Sequence, residues 1–168
     1  MSVNLKLNAN DIRFEILGNK IKHIDYKLFY SFGTYINAGN NFELHTGISL
    51  EGKDIIRIID QLNKFLNNEY REKEEMWFTE PDLEIYLFPQ DTIKNSDLSS
   101  VVFDTDIMVF KIQYIIDGAY SGNYIPLFFE KEETNKFLQY FKYLIGKIDI
   151  QEPIIQEMIK TGELYGEI

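Results

Sequence analysis

The sequence predicts an α+β protein: a largely antiparallel curved sheet or sandwich, two main amphipathic helices packed against it, and a short C-terminal helix. Three observations predict this. Apolar and polar residues alternate over several short runs, as in strands with one wet face. The period then becomes helical near residues 52–67 and again near 131–146. Turn-rich links such as Gly18-Asn19 impose antiparallel neighbours, and two or three helical segments are too few to serve as crossovers for a doubly wound parallel sheet.

Strand signals fill the first fifty residues. Val3, Leu5 and Leu7 share one face, with Asn4, Lys6 and Asn8 on the other. Ile12, Phe14 and Ile16 alternate up to the expected Gly18-Asn19 turn, and Ile24, Tyr26, Leu28 and Tyr30 return from it. Phe42, Leu44, Ile48 and Leu50 form a further strand. Ile55, Ile58, Ile59, Leu62, Phe65 and Leu66 then make one helical stripe, which Asn67-Asn68 ends. After the charged run from Glu69 to Glu75 comes a strand-like stretch, Trp77 to Leu87, in which Pro81 marks a bulge or break. A polar loop from Gln90 to Ser100 precedes a second hairpin, Ile107–Ile116 and Tyr124–Phe129, joined by the turn-rich residues from Asp117 to Asn123. The second helix starts near Lys131 with Glu132 and Glu133 in its first turn, buries Phe137, Leu138, Phe141, Leu144 and Ile145, and stops at Gly146. Glu152 and Pro153 open the short last helix. No internal repeat or linker is legible, so one domain over residues 1–168 is expected.

Composition removes several function classes. The 168 residues contain no cysteine, which excludes disulfides, thiolate metal sites and cysteine nucleophiles and fits a reducing cytoplasm. No run approaches the length of a membrane span, and the N-terminus lacks the apolar core of a signal peptide. Asp and Glu number 27 against 17 Lys and Arg, so the mean field of a chain carrying −10 repels phosphate backbones and anionic membranes and favours a basic partner. Neither nucleic acid nor membrane is expected as a partner.

Motifs for chemistry fall short of their requirements. The segment from Gly47 to Asp54 has the spacing of a phosphate-binding loop through Lys53. Asp54, however, sets a carboxylate where a magnesium-binding hydroxyl is needed, and a helix start explains it. Asp104-Thr105-Asp106 could place two carboxylates on one strand face, yet no calcium-loop pattern surrounds it. His23 and His45 are isolated, and no G-x-S-x-G or G-x-G-x-x-G is present. No cofactor, metal or catalytic residue is therefore expected. Glu80, Asp82 and Glu84 match alternating exposure on a strand as well as they match a carboxylate pair for glycoside chemistry.

Most of the eleven Tyr and thirteen Phe fall at core periods; Tyr35, Trp77, Tyr120 and Tyr124 do not, lying in expected loops or beside charge. Tyr and Trp beside carboxylates suit an interface for a basic protein, with area from the rings and orientation from the charges. The expected partner-binding residues are Trp77, Glu80, Asp82, Glu84, Tyr120 and Tyr124.

The order of elements, together with the segment Phe78-Thr79-Glu80-Pro81-Asp82-Leu83 after the helix from Ile55 to Leu66, resembles the WapI-type immunity proteins of bacterial polymorphic-toxin systems. The sequence departs from that family in its first fifty residues, where the usual Asn-Trp-Leu signal is absent and Asn40-Asn41-Phe42-Glu43-Leu44 stands in its place. The resemblance implies a non-catalytic, cytoplasmic antitoxin that binds and neutralises a cognate toxin domain, often a nuclease. A nuclease presents a basic surface to its substrate, and an acidic protein can occupy it. The competing classes are a hydrolase built on Glu80, Asp82, Asp104 or Asp106, and a self-associating structural or regulatory module; a monomer is the favoured state.

Overall fold

The computed structural model describes residues 2–9, 12–19, 24–30, 42–50, 52–78, 83–90, 105–116 and 119–167. The protein is α+β, and every strand pairing in the described residues is antiparallel. Strands β1 (Ser2–Ala9), β2 (Ile12–Asn19), β3 (Ile24–Tyr30) and β4 (Phe42–Leu50) run in order and are followed by helix α1 (Gly52–Leu66). Strands β5 (Glu74–Trp77), β6 (Leu83–Phe88), β7 (Ile107–Ile116) and β8 (Ala119–Phe129) repeat that scheme and are followed by α2 (Lys131–Leu144). Helix α3 (Pro153–Thr161) and strand β9 (Leu164–Gly166) complete it. The sheets have the orders β4-β3-β2-β1-β9 and β5-β6-β7-β8. Four strands and a helix thus occur twice, a repeat of architecture that the sequence does not display.

Both helices end as their sequences dictate. After α1, Asn68 takes a left-handed φ of 57°, its N–H reaches Phe65 O at 3.0 Å, and the Glu69 N–H reaches Lys64 O at 2.9 Å. After α2, Gly146 at φ 72° and Lys147 close the same motif on Tyr143 O and Lys142 O, at 3.1 and 2.8 Å. Each pair satisfies carbonyls the helix would otherwise orphan. Pro153 sits at the start of α3, where its missing N–H costs nothing.

A continuous core joins both sheets and all three helices. Val3, Leu5 and Leu7 are buried, and Asn8 between them and the strand end is exposed, as the alternation predicts. The α1 stripe Ile55, Ile58, Ile59, Leu62 and Phe65 meets the α2 face through Phe137, Leu138 and Phe141 in the same cluster. Inward residues of the second sheet are Met76, Ile85, Leu87, Phe110, Leu127 and Phe129. Phe110, Phe129 and Phe137 pack with ring centroids 4.8 to 5.3 Å apart, edge-on or tilted, at the favourable separation for aromatic pairs.

Three sequence expectations change. Gly18 and Asn19 lie inside β2, opposite Val3 and Ser2, so the reversal falls after them. The stretch from Trp77 to Leu87 belongs to two paired strands, with Trp77 opposite Glu84, and Pro81 lies outside the described residues. Strand β8 begins at Ala119, opposite Ile116, so the residues from Ala119 to Asn123 belong to the strand, and Asp117 and Gly118 lie outside the described residues. Strand β9, three residues long, is too short to carry a periodic signal; only β1 can supply its partner groups. No helix among the described residues is long and apolar enough to cross a membrane.

Candidate functional site

The second sheet turns one face to the core and the other away from it. Alternation along β5 sends Met76 inward and Glu75 and Trp77 outward; along β6 it sends Leu83, Ile85 and Leu87 inward and Glu84 and Tyr86 outward. Register then sets cross-strand neighbours on the outward face: Trp77 with Glu84, Glu75 with Tyr86, Glu84 with Lys111, and Lys111 with Pro126.

Lys111 is the centre of this face. Its Nζ donates to Glu84 Oε2 at 3.1 Å and lies 4.1 Å from the Tyr124 ring centroid and 5.9 Å from that of Tyr86. A cation between two ring faces and a carboxylate is held by charge and by the ring quadrupoles together. The Tyr86 hydroxyl also donates to Glu84 Oε2. Burial, and then the hydrogen bond to Glu84, push the Tyr86 hydroxyl well above the ordinary tyrosine value, so it remains a donor at neutral pH. Lys73 supplies a second cation, 5.4 Å from the Tyr86 ring centroid and 2.6 Å from Glu75 Oε1.

Trp77 is 61% exposed, yet it is braced on two sides. Its Nε1 donates to Glu75 Oε2 at 3.0 Å, and its carbonyl accepts from Arg57 Nη1 of α1 at 2.9 Å. The hydrogen bond from Lys73 holds the Glu75 carboxyl below the usual carboxylate range, with the indole N–H adding to it. Arg57 also occupies a carbonyl of an edge strand, one of the devices that discourage uncontrolled strand addition. Its neighbour Ile56 is the other large apolar side chain standing exposed among the described residues.

The expected partner-binding residues are therefore distributed as follows. Trp77, Glu84 and Tyr124 share the outward face, and Tyr120 lies in β8 opposite Ile115 rather than in a loop. Glu80 and Asp82 lie outside the described residues. Glu84 is no bare carboxylate, because Lys111 neutralises it; Glu75 is likewise paired with Lys73. The described part of the face is aromatic and charge-paired. Lys111, Lys73 and Arg57 were not singled out by the sequence, since only strand register and the docking of α1 bring them to Glu84, Glu75 and Trp77. Farther along, Phe88, Ile107 and Val109 form a second buried apolar cluster with Tyr86 and Phe128 packed against it.

The remaining motif candidates are placed too. Asp54 stands in the first turn of α1. Asp104 lies outside the described residues, while Asp106 accepts from the Gln90 N–H at 2.9 Å and faces Lys131 at 3.7 Å. Among the described residues no group of three or more His, Asp or Glu is arranged to hold a metal ion.

Structural comparison places the fold. The crystal structures of MRP1/MRP2 from Trypanosoma bruciei are similar to this chain with a TM-score of 0.52 at 10% identity, over 87% of this chain and 84% of that one. At that identity the likeness is one of fold. No protein-family model matches the sequence, and no curated protein matches it.

Proposed function

We propose that this protein is a non-catalytic immunity protein that binds a cognate toxin domain, with the outward face of the second sheet as its docking surface. The observation that carries the binding surface is Trp77: 61% exposed, yet with its indole N–H tied to Glu75 and its backbone carbonyl held by Arg57. An exposed and pre-organised Trp loses little freedom on binding and offers area to a partner, as interface anchors do. Lys73 and Lys111 with their carboxylates give the face direction. The net charge of −10 suits a basic toxin domain such as a nuclease, with charge raising the association rate. The immunity reading itself rests on the resemblance of the segment from Phe78 to Leu83 and of the element order.

Co-expression with the toxin domain encoded beside it tests the proposal. Rescue of growth and co-purification are expected, and Trp77→Ala should weaken binding by about 2 kcal/mol, roughly thirtyfold. Failure to rescue or to co-purify removes the immunity reading. Rescue with undiminished affinity in Trp77→Ala keeps the function and removes the face.

A further inference from the structure

A cavity of about 370 Å³ opens at one end of the second sheet, between the end of α1, the approach to β5, the end of β6, the start of β7 and the first residue of α2. Its volume lies within the range of small-molecule sites. The charges in it run against those of the chain. Arg71 and Lys131 line it with a single carboxylate, Asp106, in a protein with an excess of ten acidic groups.

That carboxylate is already occupied. One Asp106 oxygen accepts from the Gln90 N–H at 2.9 Å, and the other faces Lys131 at 3.7 Å, a distance at which the lysine retains donors to spare. Lys131 makes one more contact, at 3.4 Å, to the Asn68 amide oxygen. Arg71 has no hydrogen-bonding or ionic partner among the described residues, and neither does the Thr105 hydroxyl. Among the described residues the cavity therefore presents an unpaired planar guanidinium, a loosely held ammonium and an unpaired hydroxyl, with Phe65 as an apolar wall.

We infer that this cavity binds a small molecule bearing an oxyanion, a phosphate or a carboxylate, with Arg71 clamping two of its oxygens and Lys131 supplying the second charge. The guanidinium fork matches two oxygens of either group at once. A divalent cation is disfavoured, because among the described residues two cationic side chains line the cavity against one carboxylate. A single acidic side chain of a docked protein would leave most of the volume empty. The site is separate from the Trp77 face, so it stands or falls independently of the immunity reading.

Calorimetric titration of the full chain with inorganic phosphate and, in a second arm, with succinate tests the inference, both at constant ionic strength in chloride. One-site saturable binding with a Kd of about 1 mM or tighter is expected in at least one arm, and the stronger arm names the source of the oxyanion. Arg71→Ala should weaken it about tenfold or more, Arg71→Lys by less because charge survives without the fork, and Lys131→Ala by several-fold. Lys160→Ala, on α3, should leave it unchanged. Arg71 has no hydrogen-bonding or ionic partner among the described residues, so its variants should keep the wild-type urea midpoint, which separates a loss of the site from a loss of the fold. No saturable heat in either arm overturns the inference, as does binding that is the same in wild type, Arg71→Ala and Lys131→Ala.

Discussion

Gly18→Ala should destabilise this protein by about 2–4 kcal/mol, although its backbone is not left-handed and alanine suits a strand better than glycine. The reason is a close approach from across the core. Tyr140 of α2 is fully buried, and its hydroxyl donates to Val3 O of β1 at 2.8 Å, directly over Gly18, which pairs with Val3. A Cβ on residue 18 would come within 2.5 Å of Val3 O and 2.9 Å of Leu144 Cδ2, and nearer still to the Tyr140 hydroxyl. Overpacking of this kind costs about 1–3 kcal/mol. Driving the hydroxyl off Val3 O leaves a buried acceptor unpaired, a further cost of about 1–3 kcal/mol. The reduced freedom of the unfolded chain returns only about 0.4–1 kcal/mol. Urea unfolding measures the net as a shift in midpoint at constant slope. Tyr140→Phe alone should cost about 1–2 kcal/mol, and in that background Gly18→Ala should cost about 1 kcal/mol less than in wild type, because the nearest obstacle is gone while Val3 O remains. A Gly18→Ala loss below about 0.5 kcal/mol, or strict additivity of the two changes, would refute the packing described here.

Three further outcomes are expected. Phe137→Ala empties the position shared by Phe110, Phe129 and Phe141 and should cost about 3–5 kcal/mol by the same measurement. Trp77 is the sole tryptophan, and its Nε1 is bonded to Glu75, so its fluorescence should change only as acid titrates that carboxyl, below the usual carboxylate range. The folded value is depressed, so the contribution is present above the unfolded value and lost as pH falls through the folded one; Glu75→Gln should abolish the transition. In alkali the sign reverses: Tyr86 and Tyr140 have raised folded values, so their stabilisation is intact below 10.0, the ordinary tyrosine value, and is lost as pH rises beyond it. Stability should therefore fall above that pH, and Tyr86→Phe should reduce the steepness of the fall.

Local pattern determined much of this protein by itself. Alternation in Val3, Leu5 and Leu7 faced β1 correctly, the stripe from Ile55 to Phe65 defined the buried side of α1, and Gly146 and Pro153 marked helix boundaries, because periods and caps depend on residues within a few positions of one another. Tyr35, Trp77, Tyr120 and Tyr124 stood out as aromatics off the core periods by the same local reading. The tertiary structure alone decided who meets whom. Gly18, in sequence a turn residue, is a seat for Tyr140; β9 adds to β1 from the far end of the chain; and Trp77 lies beside Glu84 because β5 and β6 pair. Lys111 reaches Glu84 through register, and Arg71 meets Lys131 through the convergence of five segments. Register and docking are fixed by the total burial of two sheets and three helices, a sum over the whole chain that no window of residues contains.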